Sequence, residues 1–163
     1  MPLPYWTSEN VLPPGRHPAD LSDIYERLVW DAPHRNEREL LFSALSGYLG
    51  VVYRLIPSGR AWIGGGLLIR TTEVPRDVDV VLIPDEWGAL KRLDGRARSA
   101  LYGLMTLRGV IAEQPVTYLD QVQPVSGLLD GFLCRPGDED TWEAVWARGP
   151  VPGTLKGFAE VAW

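Results

Sequence analysis

The stretch from Ala61 to Ile83, A-W-I-G-G-G-L-L-I-R-T-T-E-V-P-R-D-V-D-V-V-L-I, restricts the fold of this chain more than any other. Its second half, D-V-D-V-V-L-I, is β-branched and apolar and is closed by Pro84, which predicts a largely buried strand over Asp77 to Ile83. A shorter strand over Ala61 to Ile63 precedes it, and three consecutive glycines break the chain between the two. Side chains two apart on a strand share a face, so Asp77 and Asp79 project together with their bases roughly 7 Å apart. Two such carboxylates repel unless a cation lies between them, and hard oxygen ligands suit Mg²⁺ or Mn²⁺. Gly64, Gly65 and Gly66 lack side chains, so backbone N–H groups there can approach an anion closely and form a nest of donors. Asp77 and Asp79 are therefore the candidate metal ligands, and Gly64, Gly65 and Gly66 the candidate nucleotide-phosphate contacts.

The flanking sequence supplies helices. Residues 1–19 are Pro-rich and read as an extended lead-in, with ordered structure beginning at Asp20. Asp20 can cap a helix that puts Leu21, Ile24, Tyr25, Leu28 and Val29 on one face and ends at Pro33. A longer helix is expected from near Asn36, with Glu37 and Glu39 at its positive end and Leu41, Leu45, Tyr48, Leu49 and Val52 on its buried side. Gly47 and Gly50 either weaken that helix or mark close packing. Residues 86–105 have helical spacing broken around Asp94 and Gly95, and Val110, Ile111 and Pro115 to Leu119 offer strand material. Thr141 to Ala147 reads as a short helix and Gly157 to Trp163 as a last strand.

Composition narrows the function. The chain has 163 residues, one Cys and a net charge of −5, which suits a single globular domain without disulfides in a reducing compartment. The acidic balance argues against a protein whose whole surface binds nucleic acid. From Glu113 onward eight acids face only Arg135, Arg148 and Lys156, so residues 120–163 read as an acidic C-terminal extension. No basic leader followed by an apolar run and no stretch of about 20 apolar residues is present, so a cytoplasmic protein with no membrane partner is expected. The G-x-x-x-x-G-K-[ST] loop that V-V-L-I-P-D-E would need for a P-loop ATPase is absent, and no Ser, Cys or His arrangement suggests covalent catalysis. Arg70 and Arg76 read as solvated surface residues, and His17 and His34, each beside a proline, as capping or packing residues.

Glycines after one strand and Asp-x-Asp on the next, as in W-I-G-G-G followed by D-V-D-V-V-L, resemble the signature of the DNA polymerase beta-like nucleotidyltransferase superfamily. The ordered segments L-P-P-G-R-H-P-A-D-L-S-D-I-Y-E-R-L, H-R-N-E-R-E-L-L and L-K-G-F-A-E-V are similar to a small group of bacterial and phage nucleotidyltransferase-like proteins. The resemblance covers most of the chain. It implies an α+β fold, a minimal nucleotidyltransferase domain with a mixed β-sheet and helices packed on one face. It also implies transfer of a nucleoside monophosphate from a nucleoside triphosphate to a hydroxyl, with Mg²⁺ (or Mn²⁺) held by Asp77 and Asp79 and the phosphates by the glycines. Gly66 occupies the place of a serine that helps hold phosphate in such proteins. A third catalytic carboxylate is expected on a later strand, where E-Q-P-V-T-Y-L-D offers Asp120 and, less well placed, Glu113. The acceptor stays open among RNA, a protein side chain and a small molecule. The competing expectation is a fold of this type that has lost catalysis and binds a protein partner through exposed tryptophans such as Trp142, Trp146 and Trp163.

Overall fold

A computed structural model describes residues 2–108 and 121–163. The fold is α+β. Its centre is a mixed five-stranded sheet in the order β1-β7-β2-β3-β6, in which β1 is Gly15–Pro18, β2 is Gly59–Gly64 and β3 is Val78–Pro84. On the far side of the chain β6 spans Leu129–Leu133 and β7 spans Gly157–Ala162. Strand β2 pairs antiparallel with both β3 and β7, whereas β1 runs parallel to β7 and β6 parallel to β3. Two short strands, β4 (Leu107–Arg108) and β5 (Gln121–Val122), form a separate antiparallel pair.

Period-two alternation sorts the sheet into two unlike faces. Ala61, Ile63, Val78, Val80, Leu82, Leu129, Ala159 and Val161 point to an aliphatic face. Helix α1 (Leu21–Tyr25), the π-helical turn Glu26–Trp30 and α2 (Arg35–Leu55) cover it, through Ile24, Leu28, Leu41, Leu45, Tyr48, Leu49 and Val52. Each fully buried leucine there contributes about 1.5–3 kcal/mol of transfer free energy. Trp62, Val81, Ile83 and Phe158 point the other way and are covered by α5 (Glu139–Trp146). The broken helical stretch after β3 forms α3 (Trp87–Lys91) and α4 (Gly95–Gly103), with Asp94 capping α4 by accepting from the Ala97 N–H.

The helix starts follow the local chemistry. Asp20 and Asp23 form a reciprocal capping box at α1. Helix α2 starts after His34, whose backbone is left-handed at φ 58° and whose ring lies 2.7 Å from the Thr72 carbonyl oxygen. His17 is likewise a packing residue, 2.7 Å from the Pro13 carbonyl oxygen. Gly47 and Gly50 face open space, so they weaken α2 without serving a close approach.

Three expectations are corrected. The Pro-rich lead-in does not stay outside the fold: Gly15–Pro18 is an edge strand, and Leu3, Val11 and Leu12 are buried. Proline holds that backbone extended, and an edge strand tolerates the missing N–H groups. The acidic tail supplies β6 and β7, two strands of the main sheet, rather than an appendage. These three tryptophans are packed: Trp146 is 5% exposed and donates to the Trp62 carbonyl, Trp142 is half-buried against Phe132 and edge-on to Trp146, and Trp163 donates to the Ile56 carbonyl. Large amphipathic rings whose N–H finds a buried acceptor belong to a core.

Candidate metal centre and adjoining cleft

The site begins with strand register. Asp79 lies opposite Gly64 of β2 on one side and opposite Asp130 of β6 on the other, so three neighbouring strands bring these residues to one level. Asp77 stands two residues earlier on the same face as Asp79. Oxygen atoms from Asp77, Asp79 and Asp130 all lie within 4.8 Å of one another. Mg²⁺ binds oxygens at about 2.0–2.1 Å, which sets ligand oxygens about 3–4 Å apart around one ion, so small side-chain rotations would close this set on a cation. Three hard carboxylate oxygens are the donor chemistry Mg²⁺ or Mn²⁺ prefers.

Each acid is differently held. Asp130 is 9% exposed and its Oδ1 accepts from Thr106 Oγ1 at 2.8 Å and from Gln123 Nε2 at 2.9 Å. The same threonine oxygen accepts from the Gly131 N–H at 3.0 Å, which ties the carboxylate to its own strand. Gly131 cannot be larger: a Cβ there would sit 2.0 Å from the Leu104 carbonyl oxygen and 2.7 Å from Tyr48 Oη. Asp77 is pushed above the usual carboxylate range by burial and by the neighbouring Asp130, with Arg76 partly offsetting both. The pair predicted from D-V-D is therefore a trio, in which Asp130 disfavours the charge on Asp77.

The glycines sit against it. Gly64 ends β2 beneath Trp146, whose Nε1 would be 2.7 Å from an added Cβ. Gly65 has φ +79°, and a Cβ there would lie 3.1 Å from both Cγ and Oδ2 of Asp79. Backbone torsion and the carboxylate both require glycine at that position. Gly66 is roomier, its nearest neighbour being Pro75 at 3.6 Å. From Gly66 to Leu68 the chain makes a 3-10 turn, closed by the Leu68 and Ile69 N–H groups donating to the Gly65 and Gly66 carbonyls. The turn is braced from behind by Arg38, which is fully buried and donates to the carbonyls of Leu28, Leu67 and Ile69 at 2.8, 2.8 and 2.6 Å. Burial and the nearby Arg70 push the Arg38 guanidinium down to about 10.

In front of the turn lies a cleft of about 290 Å³, lined by Gly65, Gly66, Asp79, Trp146, Arg148 and Lys156 among others. Lys156 is 6% exposed and its Nζ donates to the Trp146 carbonyl at 2.9 Å. Burial pushes its ammonium down to about 8, against the pull of Asp79.

The structure thus brings together Asp77, Asp79, Gly64, Gly65 and Gly66. Asp120 and Glu113, and the strand expected over residues 110–119, lie outside the described residues. Arg70 donates to the Asp31 carbonyl on the surface, and Arg76 is exposed beside Asp77. Two residues were missed. Asp130 stands in L-D-G-F-L, an acid among strand-forming apolar residues, but nothing local to that segment places it beside D-V-D. Lys156 stood out only as one of two lysines in a chain whose other fourteen cations are arginines.

No curated protein and no solved structure matches the chain. A family model does, over residues 4–162: the chain belongs to DUF6932, a family of unknown function.

Proposed function

We propose that the protein is a Mg²⁺- or Mn²⁺-dependent nucleotidyltransferase that moves a nucleoside monophosphate from a nucleoside triphosphate to a hydroxyl acceptor. The observation that carries this reading is the set of three carboxylates, Asp77, Asp79 and Asp130, converging from adjacent strands beside a glycine turn. A divalent ion held by these residues would neutralise charge on the phosphates and favour in-line displacement at phosphorus. Gly65 and Gly66 leave room for the phosphate chain next to Asp79. Asp130, oriented through Oδ1 by Thr106 and Gln123, would serve as a ligand to the ion or accept the proton of the attacking hydroxyl. In this reading Asp130 takes the role expected of Asp120 or Glu113.

The partners are a nucleoside triphosphate and an acceptor that is an RNA, a protein or a small molecule. The setting is cytoplasmic, in keeping with the absence of any helix long and apolar enough to cross a membrane among the described residues. Incubation with α-labelled nucleoside triphosphates, Mg²⁺ and cell RNA or protein tests the reading. Label should pass to an acceptor with wild type and fail to pass with Asp130→Asn that retains its melting temperature. Transfer that survives in both Asp130→Asn and Asp79→Asn would overturn it.

A further inference from the structure

We infer that the cleft between the Gly65–Gly66 turn and the 145–156 segment is a polyphosphate site, in which Lys156 and Arg148 hold the anionic end of the substrate. The inference deepens the transferase reading and rests on it for the identity of the ligand, but not for the anion chemistry of the cleft itself. Lys156 is a nearly buried cation in a fold that gives it one carbonyl, that of Trp146, as a hydrogen-bond partner among the described residues. An ammonium has three donors, and removing it from water is costly unless charge and hydrogen bonds compensate. Asp79 supplies some of that compensation across the cleft. A divalent ion on Asp79 would withdraw it, and an anion arriving with the ion would restore it.

The other walls agree. Arg148 is exposed at the mouth of the same cleft, and a guanidinium meets phosphate oxygens with paired donors. The buried Arg38 behind the Gly65–Gly66 turn adds a positive charge whose hydrogen-bond partners among the described residues are backbone carbonyls. At about 290 Å³ the cleft lies at the lower end of small-molecule sites, a size suited to a phosphate chain rather than a whole nucleotide.

Position gives the substrate a direction. Asp79 lines both cleft and trio, whereas Asp77 and Asp130 do not line the cleft. The terminal phosphates therefore lie toward α5 and β7, and the acceptor hydroxyl approaches from the Asp130 side. Arg148 and Lys156 are thus specificity determinants for a chain of phosphates rather than for a base.

Calorimetric titration with inorganic tripolyphosphate, in Mg²⁺ and separately in chelator, tests the cleft without any nucleotide or acceptor. Wild type should bind, and Arg148→Glu should weaken binding at least tenfold while leaving Mn²⁺ binding within twofold of wild type. Arg96→Glu, the same charge change on exposed α4, should retain binding. Lys156→Met should weaken binding further; if it does not fold, the Arg148→Glu result stands alone. The inference is overturned if wild type does not bind tripolyphosphate at millimolar concentration in either condition. It is equally overturned if Arg148→Glu binds like wild type, or if Arg96→Glu weakens binding as much. Tripolyphosphate binding that depends on Arg148 in a protein that takes up no Mn²⁺ would uphold the cleft and remove the transferase reading instead.

Discussion

The two faces of the sheet are built from the same strands yet answer to different demands. On the α2 side, Ala61, Ile63, Val80, Leu82 and Val161 meet Leu45, Leu49 and Val52, and nearly every group is aliphatic and fully buried. On the α5 side the strands carry Trp62, Val81, Ile83 and Phe158 near one end, and at the other the pattern gives way to Asp77, Asp79 and Asp130. One face is closed by helices and optimised for packing. The other is only partly covered, and its uncovered end concentrates like charges that packing alone gives no reason to place together. A single sheet thus carries a packed face and a face whose end gathers like charges, and perturbed charges of this kind cluster where ligands bind.

That contrast can be broken at its hinge. Gly131 alternates toward α2 while its neighbour Asp130 faces the carboxylates, so it serves both faces. Gly131→Ala drives a methyl into the Leu104 carbonyl and the Tyr48 hydroxyl, and should cost about 4 kcal/mol or more in urea denaturation, the range of severe core disruptions. A cost under about 1 kcal/mol would mean that β6 can shift and that the register of Asp130 against Asp79 is loose.

A neutralising change at the other end should have the opposite sign. Asp77 is held above the usual carboxylate range, so its charged form is less favourable folded than unfolded. For such an acid the penalty is fully present above the raised value and fades as pH falls toward about 3.9. In chelator at pH 7, Asp77→Asn should raise the melting temperature by a few degrees at most, since Asp77 is only partly buried and solvent screens much of the repulsion. The gain should vanish below pH of about 3.5. Destabilisation at pH 7 would assign Asp77 a structural hydrogen bond in place of a ligand role.

The smallest effect lies on the exposed side of α2. Gly47→Ala meets open space and should stabilise by about 0.5–1 kcal/mol by helix propensity alone. It should leave metal and phosphate binding unchanged, since nothing connects that surface to the site.

The comparison also explains what the sequence disclosed. Strand β3 and helix α2 were legible because a long periodic pattern reports burial directly, and the Asp20 cap because its chemistry is local. The Asp pair was legible because its members stand two residues apart in one extended segment, Asp79 in β3 and Asp77 just before it. The third acid was not, because Asp130 joins the site through the parallel pairing of β6 with β3, a long-range register that no local pattern encodes. Lys156 was hidden for the same reason, since its burial depends on α5 folding back over β2 and β7. Strand β1 escaped notice because prolines there signal extended backbone without saying whether it pairs.

Whether Asp130 completes a divalent-metal site with Asp77 and Asp79 can be read by titrating Mn²⁺ into the protein and following the free-ion electron paramagnetic resonance signal. Wild type, Asp130→Asn and Asp120→Asn should be compared under identical conditions without nucleotide. Wild type should bind one Mn²⁺, Asp130→Asn should bind it at least tenfold more weakly, equivalent to about 1.4 kcal/mol, and Asp120→Asn should bind it with wild-type affinity. No Mn²⁺ uptake by wild type at millimolar ion, or an affinity that Asp130→Asn leaves unchanged, would contradict a site completed by Asp130.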